Sequence, residues 1–287
     1  MNLHLEVLRR REDGFHELRT IFQTIDLADE IDLETGAPGV VLTVEGAPGL
    51  SADESNLAWR AAAGFLARWG RPGAGVRIRL RKRIPVGGGL GGGSANAATV
   101  LSGLSALFER HPGLAELEVL AAELGSDVPF FLHGGTALGT GRGERIDPLQ
   151  DPDGPALELW LAVPPVSVVT RDVFAAHRLP ANAPVAAPVA GIPAAWRPLL
   201  GRNDLEPTCL ALYPPVRAVY NRLSESGALA VRLSGSGSTI FALFADRAAG
   251  QAAGDGLLPD TIWLAAKTLS RDEWRRRSGL DARSGGI

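Results

Sequence analysis

Between Pro85 and Asn96 the chain reads Pro85-Val86-Gly87-Gly88-Gly89-Leu90-Gly91-Gly92-Gly93-Ser94-Ala95-Asn96, with six glycines in seven positions. So few side chains leave the backbone N–H groups open to a ligand. The residues that follow, Ala97-Ala98-Thr99-Val100-Leu101, read as a helix. A helix start offers unpaired N–H groups and the positive end of the helix dipole, ~+0.5 charge, which suits an anion. A glycine cradle this long fits a polyphosphate. A Walker A loop would need Gly-Lys-Ser/Thr, which is missing. A dinucleotide fingerprint can be laid on Gly87, Gly89 and Gly92, but the strand before it is basic on one face rather than apolar throughout. A flexible linker does not sit between a clean strand and a clean helix.

Other residues are ambivalent when read alone. Ser94 suits a helix N-cap or a phosphate contact. Asp127, after Gly125-Ser126 and before Val128-Pro129, reads as a solvated loop charge. Phe15 and Phe174 are the size of core residues, and Ser234-Gly235-Ser236-Gly237-Ser238 has the composition of a hairpin turn. His111, His133 and His177 have no metal-ligand spacing with a partner.

The elements that must carry these residues show in the hydrophobic periodicity. Leu3, Leu5 and Val7 alternate as in a half-buried strand, which the turn Arg11-Glu12-Asp13-Gly14 ends. Residues 15–33 read as mostly extended. A helix is expected over 55–69, with Leu57, Ala61, Ala62, Phe65, Leu66 and Trp69 on one face and Gly70 as its stop. Val76-Arg77-Ile78-Arg79-Leu80-Arg81 alternates as a strand with one wet basic face and leads into the glycine run. Helices follow over 94–110, 114–124 and 215–224, and strands over 228–233 and 239–244 flank the second glycine loop. Pro and Ala crowd residues 179–198, which read as a surface excursion. Strands and helices mix without strict alternation, so the class is α+β. Two domains are expected, 1–150 and 151–287.

The 287 residues carry a net charge of −3 and 45% hydrophobic residues. That balance gives no electrostatic reason for a nucleic-acid or anionic-membrane partner. Cys209 is the single cysteine, so no disulfide forms within the chain, and a cytoplasmic setting is expected. No apolar run has the length of a membrane span.

The glycine run resembles the phosphate loop of the GHMP small-molecule kinases, named for galactokinase, homoserine kinase, mevalonate kinase and phosphomevalonate kinase. Three more stretches agree in order and spacing: Asp13-Gly14-Phe15-His16, Leu124-Gly125-Ser126-Asp127-Val128-Pro129, and Leu233-Ser234-Gly235-Ser236-Gly237-Ser238. Within the family, the resemblance is to the branch whose acceptor is a cytidine diphosphate-linked methylerythritol. It implies a two-domain fold, ribosomal protein S5 domain 2-like then ferredoxin-like, that phosphorylates the 2-hydroxyl of that small molecule with ATP and Mg²⁺. Pro85, Val86, Gly87, Gly88, Gly89, Leu90, Gly91, Gly92, Gly93, Ser94 and Ala95 would hold the nucleotide, with the Ser94 hydroxyl on a phosphate or on Mg²⁺. Asp127 would face the acceptor hydroxyl as the catalytic residue. Phe15 and Phe174 would bracket the cytosine, with His16, Asn2, Thr170, Ser236 and Gly237 as further substrate contacts. Asn203-Asp204-Leu205-Glu206 matches a family stretch and reads as structural. No His, Cys, Asp or Glu is singled out as a metal ligand, and the metal's ligands and the oligomeric state stay open.

One family feature is missing. The first motif of the family runs Ala-Lys-hydrophobic-Asn-Leu, and here Asn2-Leu3 follow Met1 directly, so the lysine would precede Met1. Either the start is assigned too far downstream, with Met1 in the hydrophobic position, or the chain is a weakened or inactive relative. A strand that begins in mid-pattern favours the first. The 287 residues as written are expected to fold and bind ATP with depressed turnover. The alternatives are a homoserine- or mevalonate-type member, which would need no aromatic bracket, and a non-catalytic nucleotide-binding relative.

Overall fold

A computed structural model describes residues 1–108, 112–178 and 191–278. Three sheets organise them. The first has the order β1-β2-β6-β7, from β1 (Asn2–Arg10), β2 (His16–Gln23), β6 (Thr136–Gly141) and β7 (Arg145–Pro148), all antiparallel. The second sets β5 (Gly75–Arg81) between β3 (Glu30–Thr35), antiparallel, and β4 (Gly39–Glu45), parallel. The third has the order β11-β8-β10-β9, from β8 (Glu158–Val163), β9 (Ala230–Leu233), β10 (Ile240–Leu243) and β11 (Ile262–Lys267), antiparallel throughout.

The helices follow from local sequence. In α1 (Leu57–Trp69) the Asn56 side chain caps the start by accepting from Ala58 N–H, and Ala58, Ala61, Ala62 and Phe65 are buried. Their partners are α2 (Gly92–Leu107), α3 (Leu114–Leu124) and the apolar face of β5, where Val76, Ile78 and Leu80 point inward while Arg77 and Arg79 stay in water. A second cluster packs α6 (Glu206–Leu212) and α7 (Pro214–Ser224) on the third sheet and takes in Leu5 and Val7 of β1. A third joins Met1 and Leu3 to Leu159, Leu161 and Phe241. The first strand therefore belongs to the cores on both sides. Two short helices, α5 (Thr170–Ala176) and α8 (Arg247–Ala253), and the charged α9 (Arg271–Ser278) lie in the second half of the described residues. Among the described residues no helix is long and apolar enough to cross a membrane.

Of the expected surface excursion at 179–198, residues 179–190 lie outside the described ones, and 191–198 run along the surface, mostly exposed, held by two buried anchors. Ile192 and Trp196 are buried in the third cluster, and the Trp196 indole donates to the Pro155 carbonyl at 3.1 Å. The nearby prolines and alanines conceal two anchors that composition alone does not reveal.

Candidate active site

The glycine run leaves β5 and turns into α2. Its exit is held from below by Asp29. One carboxylate oxygen accepts the N–H of Arg83 at 2.7 Å and of Ile84 at 2.9 Å, and the other pairs with the Lys82 ammonium. Both side chains of that pair are buried. Along the run, Gly87, Gly89 and Gly91 have φ of 76°, 75° and 71°, values that only glycine adopts cheaply. The N–H groups of residues 86–94 donate no hydrogen bond among the described residues. Together with the start of α2 they form a concentration of donors that a phosphate chain can satisfy.

The structure changes one local expectation. α2 starts at Gly92 with Gly91 as its N-cap, so Ser94 is a first-turn residue that makes no capping bond. Its hydroxyl is left for a ligand. Helix periodicity hid this start because Gly92 and Gly93 are poor helix formers.

The second glycine loop lies against the first. Thr239 donates its backbone N–H to the Gly88 carbonyl at 2.9 Å and its hydroxyl to the same oxygen. A side chain on Gly89 would come within 2.3 Å of the Gly237 carbonyl oxygen. The loop also meets the other expected contacts. The Thr170 and Ser236 hydroxyls are 2.8 Å apart, and the Asn2 N–H donates to Ser234 Oγ at 3.3 Å. The Asn2 side chain is engaged elsewhere, donating to Thr20 Oγ1 at 2.8 Å. Asn203 holds the loop from behind, donating to the carbonyls of Leu233 and Gly235.

Asp127 stands in the turn between α3 and α4 (Phe130–His133). Its residue is accessible to solvent, and its carboxylate accepts no hydrogen bond among the described residues. Gly143, in the turn between β6 and β7, faces it so closely that a side-chain carbon there would lie 3.7 Å from Asp127 Oδ1. Although the residue is exposed, the protein atoms crowded around its carboxyl raise its pKa, while the nearby Met1 amino group pulls it down.

At the other side, His16 and Phe174 stack with ring centroids 5.1 Å apart. Phe15 is half exposed at the end of the β1–β2 hairpin, and the Arg142 guanidinium lies 4.9 Å from its ring centroid. Phe174 is thus paired with His16, and Phe15 with Arg142. Loss of water around His16 lowers its pKa, with His177 and Arg10 adding to the effect, so its imidazole is neutral at pH 7. Of the cavities, one of about 440 Å³ reaches the glycine run at Leu90 and Ala95. A larger one of about 760 Å³, beside His177 and Thr208, touches none of the expected site residues.

Known proteins decide what this arrangement belongs to. The profile of the GHMP kinases N terminal domain matches residues 56–135, and that of the GHMP kinases C terminal domain matches residues 191–260. A 4-diphosphocytidyl-2-C-methyl-D-erythritol kinase from Thiobacillus denitrificans is 42% identical over 264 residues, covering 91% of this chain and 90% of its own. The chain belongs to the GHMP kinase family. A relative of the same name from Mycolicibacterium gilvum is 44% identical over 254 residues, 83% of this chain and 78% of its own. A crystal structure of 4-(cytidine 5'-diphospho)-2C-methyl-D-erythritol kinase aligns with a TM-score of 0.76 at 38% identity, over 93% of this chain and 96% of that one. Homoserine kinase from Cytophaga hutchinsonii, at 22% identity and a TM-score of 0.62 over 90% and 89%, shares the fold.

The kinase therefore has the α+β fold its sequence implied, uses ATP, and acts on a small molecule. The sequence reading missed Asp29 and Lys82 beneath the glycine run, Thr239 across it, and the Gly141-Arg142-Gly143 turn beside Asp127. Only the turn left a signal, a short Gly-x-Gly between two strands. The others are polar residues whose partners lie far away in sequence.

Proposed function

We propose that the kinase transfers the γ-phosphoryl group of ATP to the 2-hydroxyl of 4-diphosphocytidyl-2-C-methyl-D-erythritol, giving the 2-phosphate and ADP. The acceptor oxygen bonds to the γ-phosphorus as the bond from that phosphorus to the bridging oxygen of ADP breaks. Placement and charge stabilisation carry such a transfer. The N–H groups of residues 86–94 hold the nucleotide phosphates, and Asp127 orients the acceptor hydroxyl and takes its proton late. Residues 1–150 form the ATP-binding domain and residues 151–287 the second domain, with the acceptor between them.

Mg²⁺ fits this donor set. Among the described residues no cluster of His, Cys, Asp or Glu could hold a metal, and the free Ser94 hydroxyl is an oxygen donor at the start of α2. Mg²⁺ is commonly held by substrate phosphates and water with few protein ligands, and when bound it neutralises phosphate charge.

The observation that carries the reading is the aromatic group Phe15, His16 and Phe174 in a chain that also has an open carboxylate and a glycine run. Aromatic faces suit a nucleobase, and homoserine or mevalonate has no use for them. The test is ADP release with ATP, Mg²⁺ and the cytidyl acceptor, with homoserine and mevalonate as comparison acceptors. Release with the cytidyl acceptor alone is expected. Release with homoserine or mevalonate but not with the cytidyl compound would overturn the reading.

A further inference from the structure

We infer that Arg142 reads the diphosphate of the acceptor, a role that rests on the acceptor being a nucleoside diphosphate derivative as proposed above. The turn Gly141-Arg142-Gly143 stands between two parts of the site. Gly143 faces Asp127 Oδ1, and the Arg142 guanidinium lies over the Phe15 ring, 4.9 Å from its centroid. Glycines with φ of 71° and 106° on either side give the turn its shape. Glu144 fixes it by accepting the Arg142 N–H at 2.5 Å.

A cation here would balance the charge of such an acceptor. A nucleoside diphosphate brings negative charge toward the Asp127 carboxylate and toward the phosphates of ATP. Where water is excluded, that repulsion is far stronger than in bulk solvent. Arg142 is suited to offset it. A guanidinium is always charged, and its planar fork matches phosphate oxygens bidentately. Its ion pair with Glu144 is long, 3.8 Å from Nε, and its Nη atoms make no hydrogen bond among the described residues. Its place over the Phe15 ring keeps the guanidinium near that end of the site, with its Nη atoms free for a ligand. Asp13 is the other acidic group that feels this charge. Base recognition and diphosphate recognition then meet at one residue pair: the ring takes the cytosine and the guanidinium takes the phosphates that follow it.

The test separates a charge role from a packing role. Binding of cytidine diphosphate and of cytidine is measured calorimetrically, with the glycine run saturated by ADP, for the parent, Arg142→Ala and Arg142→Lys. In the parent, the diphosphate is expected to bind at least tenfold more tightly than the nucleoside. In Arg142→Ala that advantage should fall to within about twofold, cytidine affinity being little changed, and Arg142→Lys should restore part of it. The KM for the full acceptor should rise in parallel while the KM for ATP stays put. Equal weakening of both ligands in Arg142→Ala would show that Arg142 acts only by packing Phe15, and would overturn the inference. An unchanged diphosphate advantage would overturn it as well. A parent that binds neither ligand would instead sink the cytidyl reading on which the inference stands, and the inference with it.

Discussion

At the scale of single residues, the informative groups are those whose surroundings hold them in an uncomfortable state. Asp127 is a carboxylate with raised pKa and no hydrogen-bond donor of its own among the described residues. A carboxyl whose folded pKa exceeds its unfolded value is charged at a cost above both values, and that cost shrinks as pH falls through the folded pKa and is gone below the unfolded one. Asp127→Asn should therefore raise Tm at pH 7, with a difference from the parent that narrows toward acid. The same change should cut kcat by roughly 10²–10⁴-fold, the usual worth of a general base. Calorimetric Tm across pH, set beside the turnover rate, tests both, and a lower Tm at pH 7 would contradict the assigned desolvation. Gly89 is held by a different constraint, a φ of 75° together with the Gly237 carbonyl 2.3 Å from where a side chain would stand. Gly89→Ala should force the two glycine loops apart and raise the KM for ATP. Gly73→Ala, with a φ of 77° and open space around it, is the control that carries only the backbone strain.

At the scale of elements, the phosphate cradle depends on how the chain leaves β5. Asp29 pins residues 82–84 through two backbone N–H groups and a buried ammonium, and Lys82 Nζ in turn lies 3.1 Å from where a Gly92 side chain would begin. Asp29→Ala should free both ends of the glycine run. The expected result is a rise of ~10-fold in the KM for ATP, matching the loss of a charge-assisted bond, with the KM for the acceptor within twofold. The unpaired Lys82 should also destabilise the fold by about 3–5 kcal/mol, which urea unfolding reads, and Asp29→Ala/Lys82→Met should recover much of that stability without recovering the KM for ATP. The elements themselves were legible to different depths. α3 runs over the expected 114–124, because Leu117, Leu120 and Ala121 mark one face and glycines close both ends. β5 was visible from strict alternation. β6, β7, β8 and β11 were not singled out, since β8 is apolar almost throughout and β7 is only Arg145–Pro148. α5, which carries Thr170 and Phe174, is too short for periodicity to mark. In the site, the glycine run and the motif around Asp127 could be read in sequence. That Phe174 meets His16, or Arg142 meets Phe15, depends on contacts the chain makes only after folding.

For the whole molecule, the chemistry requires that residues from both ends of the chain keep one geometry, and a buried polar seam does this. Gln23, fully buried at the end of β2, donates to the carbonyls of Thr24 at 2.9 Å and Leu269 at 2.8 Å and accepts from the Thr136 hydroxyl at 2.6 Å. Beside it, Leu269 N–H donates to the Thr24 carbonyl, Asp26 N–H donates to the Lys267 carbonyl, and Ile25 bridges Thr268. The exit of β11 is thus laid along the segment after β2, at the side of the molecule where Met1 and Leu3 pack into the core around the third sheet. Sheets joined this way should unfold together. Urea melts followed by tryptophan fluorescence, which reports on Trp59 and Trp69 in the first half and on Trp160, Trp196, Trp263 and Trp274 in the second, should coincide with melts followed by far-UV circular dichroism. Gln23→Ala strands the buried Thr136 hydroxyl, at a cost of about 1–3 kcal/mol, while the Leu269 carbonyl keeps the Thr24 hydroxyl at 3.3 Å. Its midpoint should drop with the m value unchanged, because the same surface is still exposed in one step. Two separated transitions in the parent would show that the halves stand alone and that the seam only joins finished domains. The glycine run and the second glycine loop would then owe their alignment to their own contacts, Thr239 on the Gly88 carbonyl and Gly89 against Gly237.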